Sequence, residues 1–186
     1  MASKTQQPEV YWTKPNAHCP NSKLPVLVYR NVLPEDLSEE SVSKAIAANH
    51  WVKGGVFKHY PTAHFHSNVH ECYAALRGRT TCLYGVGPLD DASDGVEFDM
   101  QAGDIAVHAA GVAHKNTWST DDYVYMALYP QGAPKWNNNF CKDGLEETQR
   151  KTEQARGIPV PEWDPIVCLP TLMDGLTERA DGVLVM

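Results

Sequence analysis

The sequence predicts an all-β fold, an antiparallel barrel or sandwich with a few flanking helices. From about residue 50 to 130, short apolar runs alternate with glycine, proline and aspartate breaks: "GGVFKHYP", "HECYAALRG", "TTCLYGVG", "GVEFDMQAGD", "IAVHAAGVAH" and "DDYVYMALYP". Regular short strands bounded by turn signals, with no helical period between them, mark antiparallel β-architectures. The chain shows no repeat of about 20–50 residues and no low-complexity tract. Its 186 residues fit one domain.

Taken in order, residues 1–24 are polar and punctuated by proline, which reads as an N-terminal arm. "LPVLVYRNVL" over 25–34 is a short apolar, β-branched run and opens a barrel domain expected to extend over 25–140. Within it, "LPEDLSEESVSKAIAANHW" carries an early helix. Ser38 can cap it, Glu39 and Glu40 suit the positive N-terminal end of its dipole, and Val42, Ala45, Ile46 and Asn49 share a face. Residues 141–186 form the C-terminal part. There Asp143 and Glu146 stand in capping-box spacing, and Gly157 and Pro159 stop a mostly polar, solvated helix. The final "WDPIVCLPTLMDGLTERADGVLVM" is apolar enough to dock on the barrel or on a second subunit.

A formal net charge of −7 argues against a nucleic-acid partner, because no positive field gathers phosphates. No apolar run is long enough for a membrane span, and "MASKTQQPEVYW" lacks a signal-peptide core, so a cytoplasmic protein is expected. The five cysteines, Cys19, Cys72, Cys82, Cys141 and Cys168, are odd in number and contain no C-x-x-C pair. Reduced thiols are the better reading, with Cys72 and Cys82 as small core residues in strands.

The chemistry concentrates in "HFHSNVHECYAALRG", residues 64–78. Side chains alternate along a strand, so His64 and His66 share a face and can bind one metal ion. An unbroken strand would put Glu71 on the other face. The turn-prone Ser67 and Asn68 reset that phase, so Glu71 opens a new strand with Tyr73 and Ala75 on its face. A third histidine comes from "GDIAVHAAGVAH", which runs through a strand, bends at Gly111 and presents His114. Three imidazoles and a carboxylate suit one divalent transition metal such as iron, manganese, zinc, nickel or copper.

These two segments resemble the cupin family. The first fits the pattern H-x-H-x4-E-x6-G at His64, His66, Glu71 and Gly78; the second fits G-x5-P-x-G-x2-H-x3-N at Gly103, Gly111 and His114. Ala109 and Trp118 replace that pattern's proline and asparagine, neither of which is a ligand. Over roughly residues 25–140 the chain looks like the small YjlB-like cupins. The resemblance implies a double-stranded β-helix (jelly-roll) barrel, usually paired as a homodimer. It also implies a metal held by His64, His66, Glu71 and His114 with positions left open for water or substrate. On that reading the protein is a metal-dependent enzyme acting on a small organic molecule, with dioxygenase-, isomerase- or decarboxylase-like chemistry. The alternative is a non-catalytic cupin that binds or senses a small molecule or metal.

Around this set, Tyr73, His70 and Asn116 are candidates for acid or base roles. His70 is also a candidate to orient the neighbouring Glu71. His108, six residues before His114, is expected in the core or the pocket wall, because the bend at Gly111 spoils its phase with His114. Tyr73, Tyr84, Tyr125, Tyr129, Trp118 and Trp136 are candidates to line the barrel. Arg77 and Lys58 are candidate contacts for an acidic substrate.

Overall fold

The computed structural model describes residues 7–166 and a strand pair formed by Thr177–Glu178 and Leu184–Val185. In chain order the elements are β1 (Glu9–Tyr11), β2 (Val26–Tyr29), α1 (Glu39–Ala47), β3 (Trp51–Phe57), β4 (Glu71–Arg77) and β5 (Arg79–Tyr84). A 3-10 turn (Ala92–Asp94) leads to β6 (Val96–Gln101), β7 (Ile105–His108), β8 (His114–Ser119) and β9 (Val124–Pro130). Helix α2 (Leu145–Arg156) follows, with the strand pair as β10 and β11. The expected all-β fold is the one observed. One antiparallel sheet has the order β1-β2-β7-β4-β9-β3 and a second has the order β6-β5-β8. They face each other as a jelly-roll barrel. Residues 9–11 of the expected arm form the edge strand of the larger sheet.

The two sheets bury their strands differently. In β6, residues alternate between buried and exposed, with Phe98 and Met100 inward and Glu97 and Asp99 outward. This is the period-2 pattern of a strand with one wet face. Strands β2, β4, β7 and β9 are buried almost throughout, because the outer face of the larger sheet is covered as well. Helix α1 contributes Val42 and Ile46 to this cover, and Ser43 Oγ donates to Met126 Sδ. Residues 163–166 complete it. Trp51 Nε1 donates to the Trp163 carbonyl, Asn49 Nδ2 to the Pro165 carbonyl and Tyr29 Oη to Asp164 Oδ2 at 2.6 Å. The start of the expected docking tail therefore lies on the barrel, while Cys168 and most of the rest lie outside the described residues.

Helix α1 is capped as expected, with Ser38 Oγ accepting from Ser41 N at 3.1 Å. Ala45, however, is exposed rather than on the buried face. Helix α2 departs from its expected start. Gly144, which has no side chain to cap with, is the N-cap, and Asp143 before it is paired with Lys151, whose Nζ lies 2.6 Å from its Oδ2. An ion pair to the second turn of the helix has displaced the capping box. Gly157 ends the helix as expected. Cys19, Cys72, Cys82 and Cys141 are buried free thiols. Among the described residues no helix is long and apolar enough to cross a membrane.

Gly78 makes the tight reversal from β4 to β5 at φ +67°, where an added Cβ would fall 2.4 Å from Thr120 Oγ1 and 2.8 Å from the Tyr123 Cα. Gly132 also has a positive φ, +82°, but faces open space. Gly132→Ala should therefore cost only the left-handed penalty of about 1–2 kcal/mol. Gly78→Ala should cost roughly 1–3 kcal/mol more, for overpacking. Urea unfolding midpoints of the two variants measure the difference, and equal midpoints would refute the crowding argument.

Candidate metal centre

Four histidines and one glutamate meet inside the barrel, delivered by one extended segment and three strand ends. His64 and His66 lie on the extended segment before a bend at Ser67 and Asn68. His64 is bridged to His114 by two backbone bonds, His64 N to His114 O at 3.2 Å and His114 N to His64 O at 2.9 Å. Phe65 is bridged in the same way to Asn139. Glu71 is the first residue of β4 and pairs directly with His108, the last residue of β7. His114 opens β8 opposite Tyr84. Residues directly opposite in an antiparallel pair share a face, so Glu71 and His108 point inward together, as do Tyr84 and His114.

The resulting contacts are close. Glu71 Oε2 lies 2.9 Å from His66 Nε2, 3.0 Å from His108 Nε2 and 3.3 Å from His114 Nε2. Ring centroids of His64 and His114 are 4.3 Å apart, and those of His108 and His114 4.2 Å. The ligand atoms of His64, His66 and His114 all lie within 4.8 Å of one another, and so do those of Glu71, His108 and His114. All five side chains are buried.

The ring nitrogens facing away from the cluster show what it can hold. Nδ1 of His64 faces the Thr62 carbonyl at 3.0 Å, Nδ1 of His66 the Asn137 carbonyl at 2.5 Å, and Nδ1 of His114 the Val112 carbonyl at 2.9 Å. A carbonyl only accepts, so these three Nδ1 atoms carry a proton and each ring turns its Nε2 to the centre, as a lone pair wherever the ring is neutral. Nε2 of His114 is buried and, among the described residues, has no hydrogen-bond partner. Burial, reinforced by neighbouring imidazoles, pushes His64 down to about 3 and His114 down to about 4, so both are neutral at ordinary pH. Burial opposes the charge on Glu71, yet the surrounding histidines hold its carboxyl well below the usual range. Burial lowers His66, but the charge and hydrogen bond of Glu71 outweigh it and raise that imidazole above its ordinary value, whereas the neutral His64 and His114 turn Nε2 lone pairs toward the same centre, where a cation would be held. The cluster's imidazole and carboxylate donors are of the kind that fits a borderline divalent ion.

A comparison with known proteins adds the relationship. The uncharacterized protein YjlB of Bacillus subtilis (strain 168) is 30% identical over 163 residues, covering 87% of this chain and 91% of that protein. The chain belongs to the YjlB family. No family model matches it. Among solved structures, RmlC from Streptococcus suis in complex with dTDP-D-xylose is 13% identical, with a TM-score of 0.38, over 67% of this chain and 74% of that one. A mutant of Bacillus subtilis oxalate decarboxylase is 14% identical, with a TM-score of 0.33, and the match spans 67% of this chain but 28% of the decarboxylase. A double-stranded β-helix protein from Klebsiella pneumoniae is 13% identical over 72% of this chain and 81% of that one, with a TM-score of 0.31. Likeness this distant says nothing about activity.

Of the candidates for proton transfer, Tyr73 borders the cluster. Its ring stands edge-on to His108 and His114, with centroids 5.2 and 5.4 Å apart, and its hydroxyl accepts from Tyr125 Oη at 3.4 Å. His70 and Asn116 serve the loops instead. Nδ1 of His70 accepts from Ala110 N and its Nε2 faces the Pro159 carbonyl, each at 3.2 Å. Asn116 Oδ1 accepts from Tyr60 N at 2.9 Å, and its Nδ2 lies 3.6 Å from Cys82 Sγ. Tyr84 and Tyr125 are buried in the barrel as expected, and Trp136 stacks on Tyr129 at 4.7 Å. Trp118 does not line the barrel: it pairs with Thr81 and is 56% exposed. Arg77 and Lys58 are exposed at strand ends.

His108 and Tyr129 are buried in the barrel as expected, but their contacts with Glu71, and the whole role of Asn137, were not foreseen from the sequence. His108 belongs to the cluster because its phase is set by pairing with Glu71, not by its spacing from His114. Tyr129 donates to Glu71 Oε1 at 2.5 Å. Asn137 has no sequence signal, yet it fastens the His66 turn. Its carbonyl faces His66, its Oδ1 accepts from Ser67 N at 2.9 Å and its Nδ2 donates to Ser67 Oγ at 2.9 Å. Asn137→Ala should leave the buried Ser67 N–H without its acceptor and cost about 1–3 kcal/mol. Urea unfolding checks this, and a stability within 0.3 kcal/mol of wild type, on the order of measurement error, would show that the turn does not need the amide.

Proposed function

We propose that the chain holds one divalent transition metal on His64, His66, Glu71 and His114 and is a metal-dependent enzyme acting there on a small organic molecule. One observation carries the reading: the Nδ1 protons of three buried histidines are committed to backbone carbonyls, and their Nε2 atoms converge near one buried carboxylate. Four protein groups leave open positions on an ion that prefers five or six ligands, which is the arrangement chemistry needs. When bound, the ion would supply Lewis acidity or, for a redox-active metal, one-electron chemistry.

The chain's own residues set what else can happen at such a site. Tyr73, Tyr84 and Tyr125 fill the interior beside the histidines, which restricts the substrate to a small molecule. Burial, with the charge of Glu71 adding to it, keeps the Tyr73 phenol well above its ordinary range, so it stays protonated beside the centre as a candidate donor. The least buried side is marked by His64 at 5% exposure and the half-buried Tyr60 over it, with ring centroids 4.7 Å apart. This side is the candidate approach. The same filling of the interior favours a second reading, a cupin that binds or senses a metabolite without turnover.

Protein purified without chelator should carry close to one equivalent of a transition metal by elemental analysis. His66→Ala should lose most of it while keeping the wild-type far-UV spectrum and a cooperative melt. Wild-type protein with far less than one equivalent would overturn the metal reading, and an unfolded His66→Ala would make the ion structural. A substrate screen with and without O2 then separates enzyme from binding protein. Tight binding of a metabolite with no turnover by any metal form would establish the second reading.

A further inference from the structure

We infer that Glu71 is gripped on both oxygens by positioning residues, Tyr129 on Oε1 and His108 on Oε2, with His108 acting as a hydrogen-bond donor and not as a fifth metal ligand. The inference rests on the metal reading above and deepens it by dividing the four histidines into two kinds.

The division comes from what each Nδ1 faces. Those of His64, His66 and His114 face carbonyls, which fixes the proton on Nδ1 and the lone pair on Nε2. His108 Nδ1 instead faces the Tyr84 hydroxyl at 3.4 Å, a group that can donate. With the phenol proton directed at Nδ1, the imidazole proton of His108 belongs on Nε2, 3.0 Å from Glu71 Oε2. His108 then offers Glu71 an N–H, whereas His66 and His114, with Nδ1 committed to carbonyls, keep Nε2 for an ion.

On the other oxygen, Tyr129 Oη donates to Glu71 Oε1 at 2.5 Å. The ring of Tyr129 is held on two sides. Trp136 stacks on it with an interplanar angle of 7°, and Gly54 lies so close that a Cβ there would fall 2.2 Å from Tyr129 Cε2. Both gripping residues come from strands that flank β4: His108 pairs with Glu71 across β7, and Tyr129 follows the Cys72–Leu128 pair across β9. With Oε1 committed to the phenol, Glu71 has only Oε2 to offer an ion and binds it through one oxygen, leaving more of the coordination sphere open.

The test uses Co(II) as the probe on the full chain, with affinity from chelator competition and the number of bound imidazoles from X-ray absorption. Tyr129→Phe and His108→Leu should each weaken Co(II) binding by about 10–100-fold. Stoichiometry should stay at one, the imidazole count should be three in wild type and in His108→Leu, and His108→Gln, which keeps an N–H donor, should recover part of the affinity. Tyr84→Phe removes the phenol proton without touching the His108 ring, so it tests the tautomer even where His108→Leu fails to fold. It should weaken Co(II) binding several-fold with little change in the apo melting temperature. A count that falls from four to three in His108→Leu would make His108 a ligand and overturn the inference. Co(II) affinities of Tyr129→Phe and Tyr84→Phe within twofold of wild type would overturn it as well. A wild-type chain that takes up no Co(II) sinks the metal reading itself; normal uptake by wild type with unaffected variants sinks the grip alone.

Discussion

A carboxylate taken out of water must be given back, by the protein, the hydrogen bonds and counter-charge it has lost, and Glu71 is 2% exposed. The barrel is organised around meeting that demand. Glu71 opens β4, which lies between β7 and β9 in the larger sheet. The flanking strands bring His108 and Tyr129, the bend before β4 brings His66, and the facing sheet brings His114. Removing His66, His108 or Tyr129 would leave a buried charge less compensated. The geometry of the site and the stability of the barrel interior are therefore the same problem.

The residues that place the cluster mostly lie outside it. Asn21, from the N-terminal segment, donates to the Gly85 carbonyl and accepts from Ala113 N, while its backbone N–H binds the Gly111 carbonyl. These bonds hold the loop that leads into His114. His70 ties the Ala110 turn to the segment after α2, and Asn137 fastens the turn after His66. Side chains near a metal site are precise only when the backbone beneath them is fixed. Here the fixing is done by two amides, Asn21 and Asn137, and one imidazole, whose hydrogen bonds go mostly to the backbone of the neighbouring loops.

How much of this was legible follows from which signals are local. The strand runs, the Ser38 cap, the Gly157 stop and the bend at Ser67 and Asn68 depend on neighbouring residues, and they appear where the sequence places them. The grouping of His64, His66, Glu71 and His114 was readable through spacing and through resemblance to a known pattern. Face assignment in the larger sheet was not readable, because β4, β7 and β9 are buried on both sides and lose the alternation that β6 keeps. The contact of His108 with Glu71 was lost for that reason: its face is fixed by a partner strand more than thirty residues away in sequence. The capping box at Asp143 failed on a similar competition, since Lys151 offers the carboxylate a full charge where the helix end offers backbone N–H groups.

The four histidines carry this limit to its end. By residue type they are interchangeable, and by burial nearly so. What separates them is a single atom beyond each ring, a carbonyl behind three and a phenol behind the fourth. A carbonyl fixes the proton on the nitrogen it faces, while a phenol can give or take one, and in the assignment inferred above it gives, so that His108 alone turns an N–H to the centre. The carbonyls belong to Thr62, Val112 and Asn137. Two of these lie two residues before the histidine they serve, and the third is 71 residues away. The chemistry of each imidazole is thus written in the backbone path around it, and a histidine becomes a ligand or a donor only once the fold has chosen what stands behind it.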